Sequence, residues 1–503
     1  MQGCLLLAKD AAHRLMITSE CPLGPGYYRS LDGESFRSQN QARGTLTSFY
    51  VENFGCRATQ ADGAAIARQF EELGLARADA PTRSEIVVLN TCTVTASADQ
   101  DARAAIRRIR RDNPDCQIVV TGCYAQRAPE EVGSLPGVSR VIGNSHKHQL
   151  AEIVVGSRSD QVLSIAGHAA FVPLSSLGRE SQDQIFVSDI FAHTELLAAP
   201  VFDAPGPGMN GRTRPNLKVQ DGCDNRCSFC VIPYVRGHSR SLPLNRTLEE
   251  VSSLVHSGYR EVVISGINLG RWGRDFDRPV RFENVVQEIL DRTALEKLRI
   301  SSVEPMDWSD ELIGMMASSP RIAKHAHVPM QSGSDRVLRA MHRKYRPWHY
   351  REKIENIRAA MPTAAIGADV MVGFPGESET DFEQTRRLIE ELPFTYLHVF
   401  TYSSRPGTPS AAMRDQVPVQ IARERNRILR DLAAEKKLAF MQTFVGTTLE
   451  AITLNVFNGK STEALTDNYL KLRLDGQHET NQWVRARVEQ VTGGSFLGVR
   501  MPS

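Results

Sequence analysis

The segment Gln220-Asp221-Gly222-Cys223-Asp224-Asn225-Arg226-Cys227-Ser228-Phe229-Cys230 concentrates thiols in a C-x3-C-x2-C pattern. Three thiolates in one short loop can hold three irons of a 4Fe–4S cluster and leave the fourth iron open, whereas fully ligated clusters take four cysteines. An open iron suits a chelating partner, and the amino and carboxylate groups of S-adenosylmethionine fit that role. Zinc is the alternative, but it favours C-x2-C pairs and a complete set of four ligands. No fourth cysteine or close histidine accompanies the loop, since His238 lies beyond Pro233 and Gly237.

Cys56, Cys92 and Cys123 are far apart, and their spacing alone says little. Each, however, follows a run that reads as a parallel strand, in Phe54-Gly55-Cys56, Asn90-Thr91-Cys92 and Thr121-Gly122-Cys123. In an open parallel sheet the loops after the strands gather on the carboxyl edge, where ligands bind. Three thiolates there suit a second three-cysteine cluster, with Gly55 and Gly122 expected to let backbone approach bulky sulfide. The competing reading is that they are buried apolar cysteines, which are common in cytosolic cores. Their equivalent positions at three strand ends favour the cluster. Cys116, at the opposite end of its strand, reads as structural, and Cys4 and Cys21 as incidental.

The elements that must position these thiols read as α/β. Strand-like runs at Ser48–Val51, Glu85–Leu89, Gln117–Val120 and Val138–Ile142 alternate with helix-like stretches at Asp62–Leu73 and Asp99–Arg111. This predicts an open parallel-sheet domain over residues 46–158. Residues 159–212 read as a linker ending in Ala204-Pro205-Gly206-Pro207-Gly208-Met209-Asn210-Gly211. A second series over 213–440 has strands expected at Asn216–Gln220, Glu261–Ser265, Arg299–Val303, His325–Pro329, Gly367–Val372 and Tyr396–Thr401. Six β/α units with no returning antiparallel strand predict an open, partial (β/α)6 barrel, with its chemistry on the loops at the C-terminal strand ends. Gly266, Asn268, Ser302, Glu304, Gln331 and Asp369 fall on that edge, as does Gly373-Phe374-Pro375-Gly376-Glu377. Ordinary turns also use Gly, Ser and Pro, so each alone says little.

Pro418 suits the start of a charged helix, Val419–Phe440. Over residues 441–503, short alternating runs at Leu449–Leu454, Tyr469–Leu474, Trp483–Val488 and Phe496–Val499 predict a small all-β barrel. Residues 1–45 show no sustained period and read as a poorly ordered extension, with Met16 as an alternative start.

A length of 503 residues implies two or three domains. Hydrophobic content of 41% and charged content of 23% are those of a soluble globular protein. The net charge of +2 announces no nucleic-acid partner by global basicity, although a local basic face could still bind one. No apolar run approaches a membrane span, and Cys4-Leu5-Leu6-Leu7-Ala8 is too short for a signal sequence and lacks a basic stretch before it. A cytoplasmic location is therefore expected, where thiols stay reduced and informative cysteine spacing points to metals or catalysis.

The Cys223–Cys230 loop, including Phe229 before the third cysteine, resembles the radical S-adenosylmethionine superfamily motif. Residues 46–503 as a whole resemble the methylthiotransferases, which use three domains in this order. The resemblance implies two 4Fe–4S clusters, one on Cys223, Cys227 and Cys230 and an auxiliary one on Cys56, Cys92 and Cys123. The first splits S-adenosylmethionine into methionine and a 5′-deoxyadenosyl radical. The auxiliary cluster carries a sulfur that a second S-adenosylmethionine methylates. Gly266, Asn268, Ser302, Glu304, Gln331 and Asp369 match stretches around the nucleoside and methionine moieties, where Glu304 or Gln331 would fix ribose or amino groups. Arg236-Gly237-His238-Ser239-Arg240-Ser241 and Tyr402–Thr408 match family stretches as well. A solvated loop is the default for such residues, and arginines near a cluster would neutralise it or grip substrate phosphate.

The C-terminal module resembles the TRAM domain, a small RNA-binding barrel, with Lys471, Arg473, Arg485 and Arg487 as basic candidates and Trp483 as a stacking one. Its charges are nearly balanced, so RNA affinity follows from the resemblance rather than from composition. The helix carrying Arg103, Arg107, Arg108, Arg110 and Arg111 is either a solvated face or an RNA contact. The implied partners are tRNA, an electron donor such as flavodoxin or ferredoxin, and a sulfur source, with no membrane.

Three branches compete: one modifies isopentenyladenosine in tRNA, one threonylcarbamoyladenosine in tRNA, and one an aspartate of a ribosomal protein. Asn90-Thr91-Cys92-Thr93-Val94-Thr95, Gln220–Asn225 and Gly266-Ile267-Asn268-Leu269-Gly270 are most similar to the threonylcarbamoyladenosine branch. That implies methylthiolation at C2 of the base next to the anticodon. The isopentenyl branch tends to carry an arginine or glutamate soon after the second cysteine, which is lacking here. Cys56-Arg57-Ala58-Thr59-Gln60 departs from the family in lacking an asparagine three residues after the first cysteine. A different class, a non-catalytic iron–sulfur RNA-binding protein, is disfavoured by the open-iron motif and the polar barrel edge.

Overall fold

The computed structural model describes residues 7–9, 15–17, 47–163, 184–193, 196, 200–201 and 213–501. The chain divides into two units, 1–46 and 47–503. In the first, residues 7–9 pair antiparallel with 15–17. The rest of the expected extension, with Cys4 and Cys21, lies outside the described residues, as does the Ala204–Gly211 stretch. Among the described residues no helix is long and apolar enough to cross a membrane.

The N-terminal sheet of the second unit contains β1 (Ser48–Asn53), β2 (Ala76–Arg77), β3 (Ile86–Thr91), β4 (Gln117–Gly122), β5 (Val138–Ile142) and β6 (Ile185–Phe186). The order is β2-β1-β3-β4-β5-β6, parallel throughout. Ile86-Val87-Val88-Leu89 is fully buried, as expected of a central parallel strand covered on both faces. Helix α1 (Arg57–Glu72) starts five residues before the predicted Asp62, directly at Cys56, and α2 (Ala96–Asp112) is capped by the Thr95 side chain. The stretch expected to be linker supplies β6 to this sheet.

The central series is β7 (Asn216–Asp221), β8 (Glu261–Gly266), β9 (Lys297–Ile300), β10 (His325–His327), β11 (Ala365–Val372) and β12 (Tyr396–Thr401). Consecutive strands are parallel neighbours, with β9 and β10 joined through single bridges at Leu298–Ile322 and Ser302–His327. The expected partial barrel is therefore present. The expectation of no returning antiparallel strand is corrected. Arg240–Ser241 pairs antiparallel with β7 because the chain after the cysteines folds straight back onto that strand, and Pro200–Val201, which precedes β7 in sequence, pairs with it antiparallel as well.

Along β7, Leu217 and Val219 join the apolar core under the outer helices, whereas Asn216, Lys218 and Gln220 are buried on the other face. Glu261, Arg299, His325 and His327 continue this polar inner lining, which α1 meets through Asp62. A chamber lined this way differs from the apolar fill of a complete barrel.

Helix α3 (Val419–Gln442) leads to β13 (Thr448–Phe457), β14 (Ser461–Thr466), β15 (Lys471–Asp475), β16 (Trp483–Thr492) and β17 (Ser495–Arg500). They close into a barrel in the order β13-β14-β15-β17-β16. Strand β14 is an addition to the sequence reading. Ser-Thr-Glu-Ala-Leu-Thr carries no run of branched apolar residues, yet Ala464 and Leu465 are buried.

Candidate active site

Strand β7 ends at Asp221, and Gly222 (φ +71°) turns the chain into the cysteine loop. A Cβ at Gly222 would collide with the His238 carbonyl, so the turn requires glycine. Nitrogen donors aim at the sulfurs. The Asn225 amide and Asn268 Nδ2 lie 3.4 and 3.6 Å from Cys223 Sγ, and Arg343 Nη1 lies 3.3 Å from Cys227 Sγ. Arg343 is buried, ion-pairs with Glu304, and its guanidinium stands 4.9 Å from the Tyr345 ring centroid. Burial pushes the Cys223 thiol up to about 11 and the Cys230 thiol up to about 12, with the neighbouring Cys227 adding to both. Left to themselves these groups stay protonated, and the charge of a metal centre would be what holds them as thiolates.

At the carboxyl ends of the barrel strands, Ser265 Oγ, Asn268 Oδ1 and Gln331 Oε1 are buried without a hydrogen-bond partner. Gln331 also adopts a left-handed φ of 61°, a conformation that non-glycine residues hold mainly where surrounding structure imposes it. Buried orphan polar atoms call for a polar ligand, so this rim fits the hydrophilic parts of S-adenosylmethionine. The six rim residues expected from sequence do not all face that space alike. Gly266 makes room for Gln220, whose Oε1 would stand 2.8 Å from a Cβ there and accepts the Asn268 amide at 2.6 Å. The Glu304 carboxylate is held by Arg343. Ser302 bridges to His327, and Asp369 approaches His327 Nε2 at 3.4 Å.

The second triplet stands on the first sheet. The register pairs Asn53 with Asn90 and Thr91 with Gly122, which brings the three strand ends side by side. Cys56 is exposed at the N-cap of α1, while Cys92 and Cys123 are buried. Cys92 Sγ accepts the Val94 amide at 3.5 Å, and Asn144 Nδ2 lies 3.7 Å from Cys123 Sγ. Burial, reinforced by Cys123 and Cys56, pushes the Cys92 thiol up to about 12. Gly55 (φ +99°) lies against Cys92, where a Cβ would come within 2.8 Å of the sulfur. Gly122 (φ +98°) instead meets the Thr91 backbone, so its role is strand packing rather than the sulfide clearance expected. Cys116 lies buried just before β4. Among the described residues no three His, Cys, Asp or Glu side chains close on one point as ligands of a single ion would. The fit to clusters rests on the all-thiol donor sets and the N–H groups aimed at them.

A buried charge network joins the triplets. Asp62 of α1 pairs with Lys147 and Arg236, each at 2.9 Å, and with Lys218. Lys218 and Arg236 also pair with Asp221 at 2.8 Å, one residue before the Gly222 turn. Burial opposes ionisation, yet Lys147, Lys218 and Arg236 hold the Asp62 carboxyl well below the usual carboxylate range. The default of a solvated loop is thus corrected for Arg236 and Arg240, both buried. It is also corrected for Arg405, which ion-pairs with Asp99 and donates to Thr93 Oγ1 at 3.0 Å beside Cys92.

On α2, Arg107 and Arg110 are exposed, while Arg103 pairs with Glu131 and Arg108 with Glu52. In the C-terminal barrel Arg485 and Arg487 are exposed and Lys471 pairs with Glu463. Arg473 Nη2 donates to the Thr492 carbonyl at 3.0 Å. Trp483 lies under Lys297 of β9 at 5.4 Å, so this face of the ring serves docking. Arg343 and the Asp62 network were missed from sequence. Their signals, a basic Arg343-Lys344 pair and a lone Asp on a helix, are indistinguishable from solvated surface.

A partial parallel barrel with a cysteine loop after its first strand, facing a sheet with a second triplet, defines a radical S-adenosylmethionine protein with an added sulfur-bearing domain. A family model described as the radical SAM superfamily matches residues 217–389, and one described as uncharacterized protein family UPF0004 matches 48–143. A threonylcarbamoyladenosine tRNA methylthiotransferase of Bacillus subtilis is 34% identical over 439 residues, spanning 86% of this chain and 92% of that one. A tRNA-2-methylthio-N(6)-dimethylallyladenosine synthase of Syntrophotalea carbinolica is 33% identical, spanning 75% of this chain and 82% of that one. In fold, the chain is similar to the radical S-adenosylmethionine methyltransferase TsrM of Kitasatospora setae, with a TM-score of 0.51 at 15% identity over 73% of this chain and 75% of that one. The chain belongs to the radical S-adenosylmethionine methylthiotransferase family.

Proposed function

We propose that this protein adds a methylthio group to C2 of N6-threonylcarbamoyladenosine next to the anticodon of tRNA. The observation that carries the reading is the pair of cysteine triplets at two carboxyl strand edges, bridged by one buried charge network. Cys223, Cys227 and Cys230 are assigned to a 4Fe–4S cluster with an open iron, and Cys56, Cys92 and Cys123 to an auxiliary 4Fe–4S cluster. When bound, the first supplies the electron that cleaves S-adenosylmethionine and the second supplies the sulfur that is transferred.

The chain's own residues bind, orient and exclude water. Arg343 holds the Cys227 sulfur from one side and carries Glu304 with it. Gln220 fixes the turn by donating to the Asp221 and Gly222 carbonyls at 2.9 Å and accepting the Asn268 amide. That leaves Asn268 Oδ1, Ser265 Oγ and Gln331 Oε1 free to meet the amino, carboxylate and ribose groups of the cofactor. Asp369 and His327 line the chamber below.

The choice of base rests on relatives. Threonylcarbamoyladenosine tRNA methylthiotransferases of Bacillus subtilis, Aquifex aeolicus and Rickettsia prowazekii are each 34% identical over 86%, 87% and 88% of this chain. The electron donor is assigned as a flavodoxin- or ferredoxin-type protein acting in the cytoplasm, and the sulfur that the auxiliary cluster delivers is replenished from a separate source. The functional domains are taken as 46–158, 213–440 and 441–503. Mass spectrometry of tRNA nucleosides from a deletion strain tests the assignment. The methylthio form of threonylcarbamoyladenosine is expected to vanish, and its persistence would end this reading. Formation of 5′-deoxyadenosine by the reconstituted protein separates the enzyme from a non-catalytic RNA-binding protein.

A further inference from the structure

Arg57 is the residue after Cys56, exposed, and it has no carboxylate partner among the described residues. Its Nη2 donates to the Tyr469 hydroxyl of the C-terminal barrel at 3.2 Å, and its backbone carbonyl lies 3.5 Å from Asn216 Nδ2 of β7. The guanidinium therefore stands where the three domains meet, beside a candidate sulfur-cluster ligand. On its Tyr469 side two arginines face one carboxylate, while Asp369 stands across the floor beside His327 at 3.4 Å. Arg214 and Arg299, both over the Tyr469 ring, share the single carboxylate of Glu261. The Tyr469 ring that Arg57 reaches lies 6.2 Å from the Tyr396 ring of β12, which puts the guanidinium beside the floor of the polar chamber.

That floor is built of polar-tipped rings. His325 Nε2 lies 2.7 Å from the Tyr396 hydroxyl, the His325 and Tyr469 rings are 4.6 Å apart, and the His327 and His398 rings 5.6 Å. His325 Nδ1 is buried without a hydrogen-bond partner, and His327 Nε2 faces the Asp369 carboxylate at 3.4 Å. Tyr469 is held at a left-handed φ of 64°, strain that must be maintained by the packing around it. A hydrocarbon substituent gains nothing from such walls and would leave their polar atoms unpaired, which costs binding. A carboxylate, in contrast, meets a guanidinium that no other carboxylate engages among the described residues and that can bind it through two parallel N–H bonds.

Resting on the function proposed above, we infer that Arg57 is a specificity-determining residue that binds the carboxylate of the threonylcarbamoyl group, with the Tyr469 hydroxyl holding the guanidinium in place. In adenine C2 and C6, the carbon that bears N6, flank the same ring nitrogen. A base whose C2 is presented to sulfur at Cys56, Cys92 and Cys123 therefore carries its N6 substituent toward the immediate neighbourhood of that triplet. Arg57 is its adjoining cation. A tRNA phosphate offers a similar anion, and the test separates the two.

The full chain, with clusters reconstituted, is titrated with the same tRNA with and without the threonylcarbamoyl group. The parent protein is expected to prefer the modified tRNA. Arg57→Gln should weaken binding of the modified form by about 10- to 100-fold, the loss of one charge-assisted pair, and leave the unmodified form unchanged. Arg57→Lys should recover part of the preference. Tyr469→Phe should reduce it in the same direction by a smaller factor, which keeps the test valid if Arg57→Gln fails to fold. Iron content and circular dichroism monitor folding. Equal weakening toward both tRNAs would mean a phosphate contact and would overturn the inference, as would an undiminished preference in Arg57→Gln. A parent protein that neither prefers nor modifies threonylcarbamoyladenosine would remove the functional reading itself, and the inference with it.

Discussion

The six cysteines of the two triplets differ in what their loss should do. Replacing Cys223, Cys227 or Cys230 by alanine should abolish cleavage of S-adenosylmethionine. Replacing Cys56, Cys92 or Cys123 should spare cleavage and stop methylthiolation, and in either case iron should fall from about eight to about four per chain. Identical behaviour of both triplets in a deoxyadenosine assay would refute that division. Gly55 makes a second, purely steric prediction. Alanine there would meet Cys92 Cβ at 2.5 Å in a left-handed backbone, so Gly55→Ala should cost about 1–3 kcal/mol in denaturant unfolding and lower auxiliary iron loading. The cysteines were legible from sequence because a thiol triplet has few other uses. Arg343 was not, because nothing in Met341-His342-Arg343-Lys344-Tyr345 reveals that a buried guanidinium will face Cys227.

At the scale of elements, α1 is held to β7 by charge as well as by packing. Asp62, Lys147, Lys218 and Arg236 have side chains at most 4% exposed, so removing one partner leaves charge stranded out of water. Asp62→Asn should destabilise the protein by about 3–5 kcal/mol. Lys147→Met in the same chain should recover part of that loss, since Lys147 has no other carboxylate partner among the described residues. A double-mutant cycle in denaturant reads the coupling directly, and additive effects would exclude it. Because burial is outweighed by the three cations, the Asp62 carboxyl is depressed. Its contribution is therefore present above the ordinary carboxylate range and lost only as pH falls through the lower folded value. The strands and main helices were legible from apolar period, since Ile86–Leu89 and Leu217/Val219 pattern as buried strands must. The burial of Lys218 within β7 was unreadable, because one of its two carboxylate partners, Asp62, lies on an element 156 residues away in sequence. β14 was missed because its mostly buried run is built from Ser, Thr, Glu and Ala with a single Leu rather than from branched apolar residues.

For the whole molecule, the question is what holds the C-terminal barrel over the chamber. It docks against the amino-terminal strand ends through Lys297–Asp467 at 3.1 Å, Asn481 Nδ2 to the Gly258 carbonyl at 2.8 Å, and Asn468 Nδ2 to the Thr363 carbonyl at 3.1 Å. Arg299 is central to this joint. Its side chain is 1% exposed, and it donates to Glu261 at 2.7 Å, to the Asp467 carbonyl at 3.0 Å and to the Thr466 carbonyl at 3.4 Å. Methionine in its place keeps much of the volume but leaves Glu261 with Arg214 alone and takes the Arg299 donor from the Asp467 carbonyl, while the Thr466 carbonyl keeps the Tyr469 amide at 3.0 Å. Arg299→Met should therefore loosen the joint while each barrel keeps its own core, since the C-terminal one packs separately around Leu472, Val484, Val488 and Phe496. Limited proteolysis should then cut faster near residues 443–447 than in the parent protein, and calorimetry should resolve two thermal transitions. S-adenosylmethionine cleavage should persist, because the cysteine loop lies at the opposite strand ends, whereas tRNA binding should weaken as Tyr469 leaves the chamber floor. Retained tRNA affinity in a variant with a demonstrably mobile C-terminal barrel would refute the view that docking of this domain completes the substrate site.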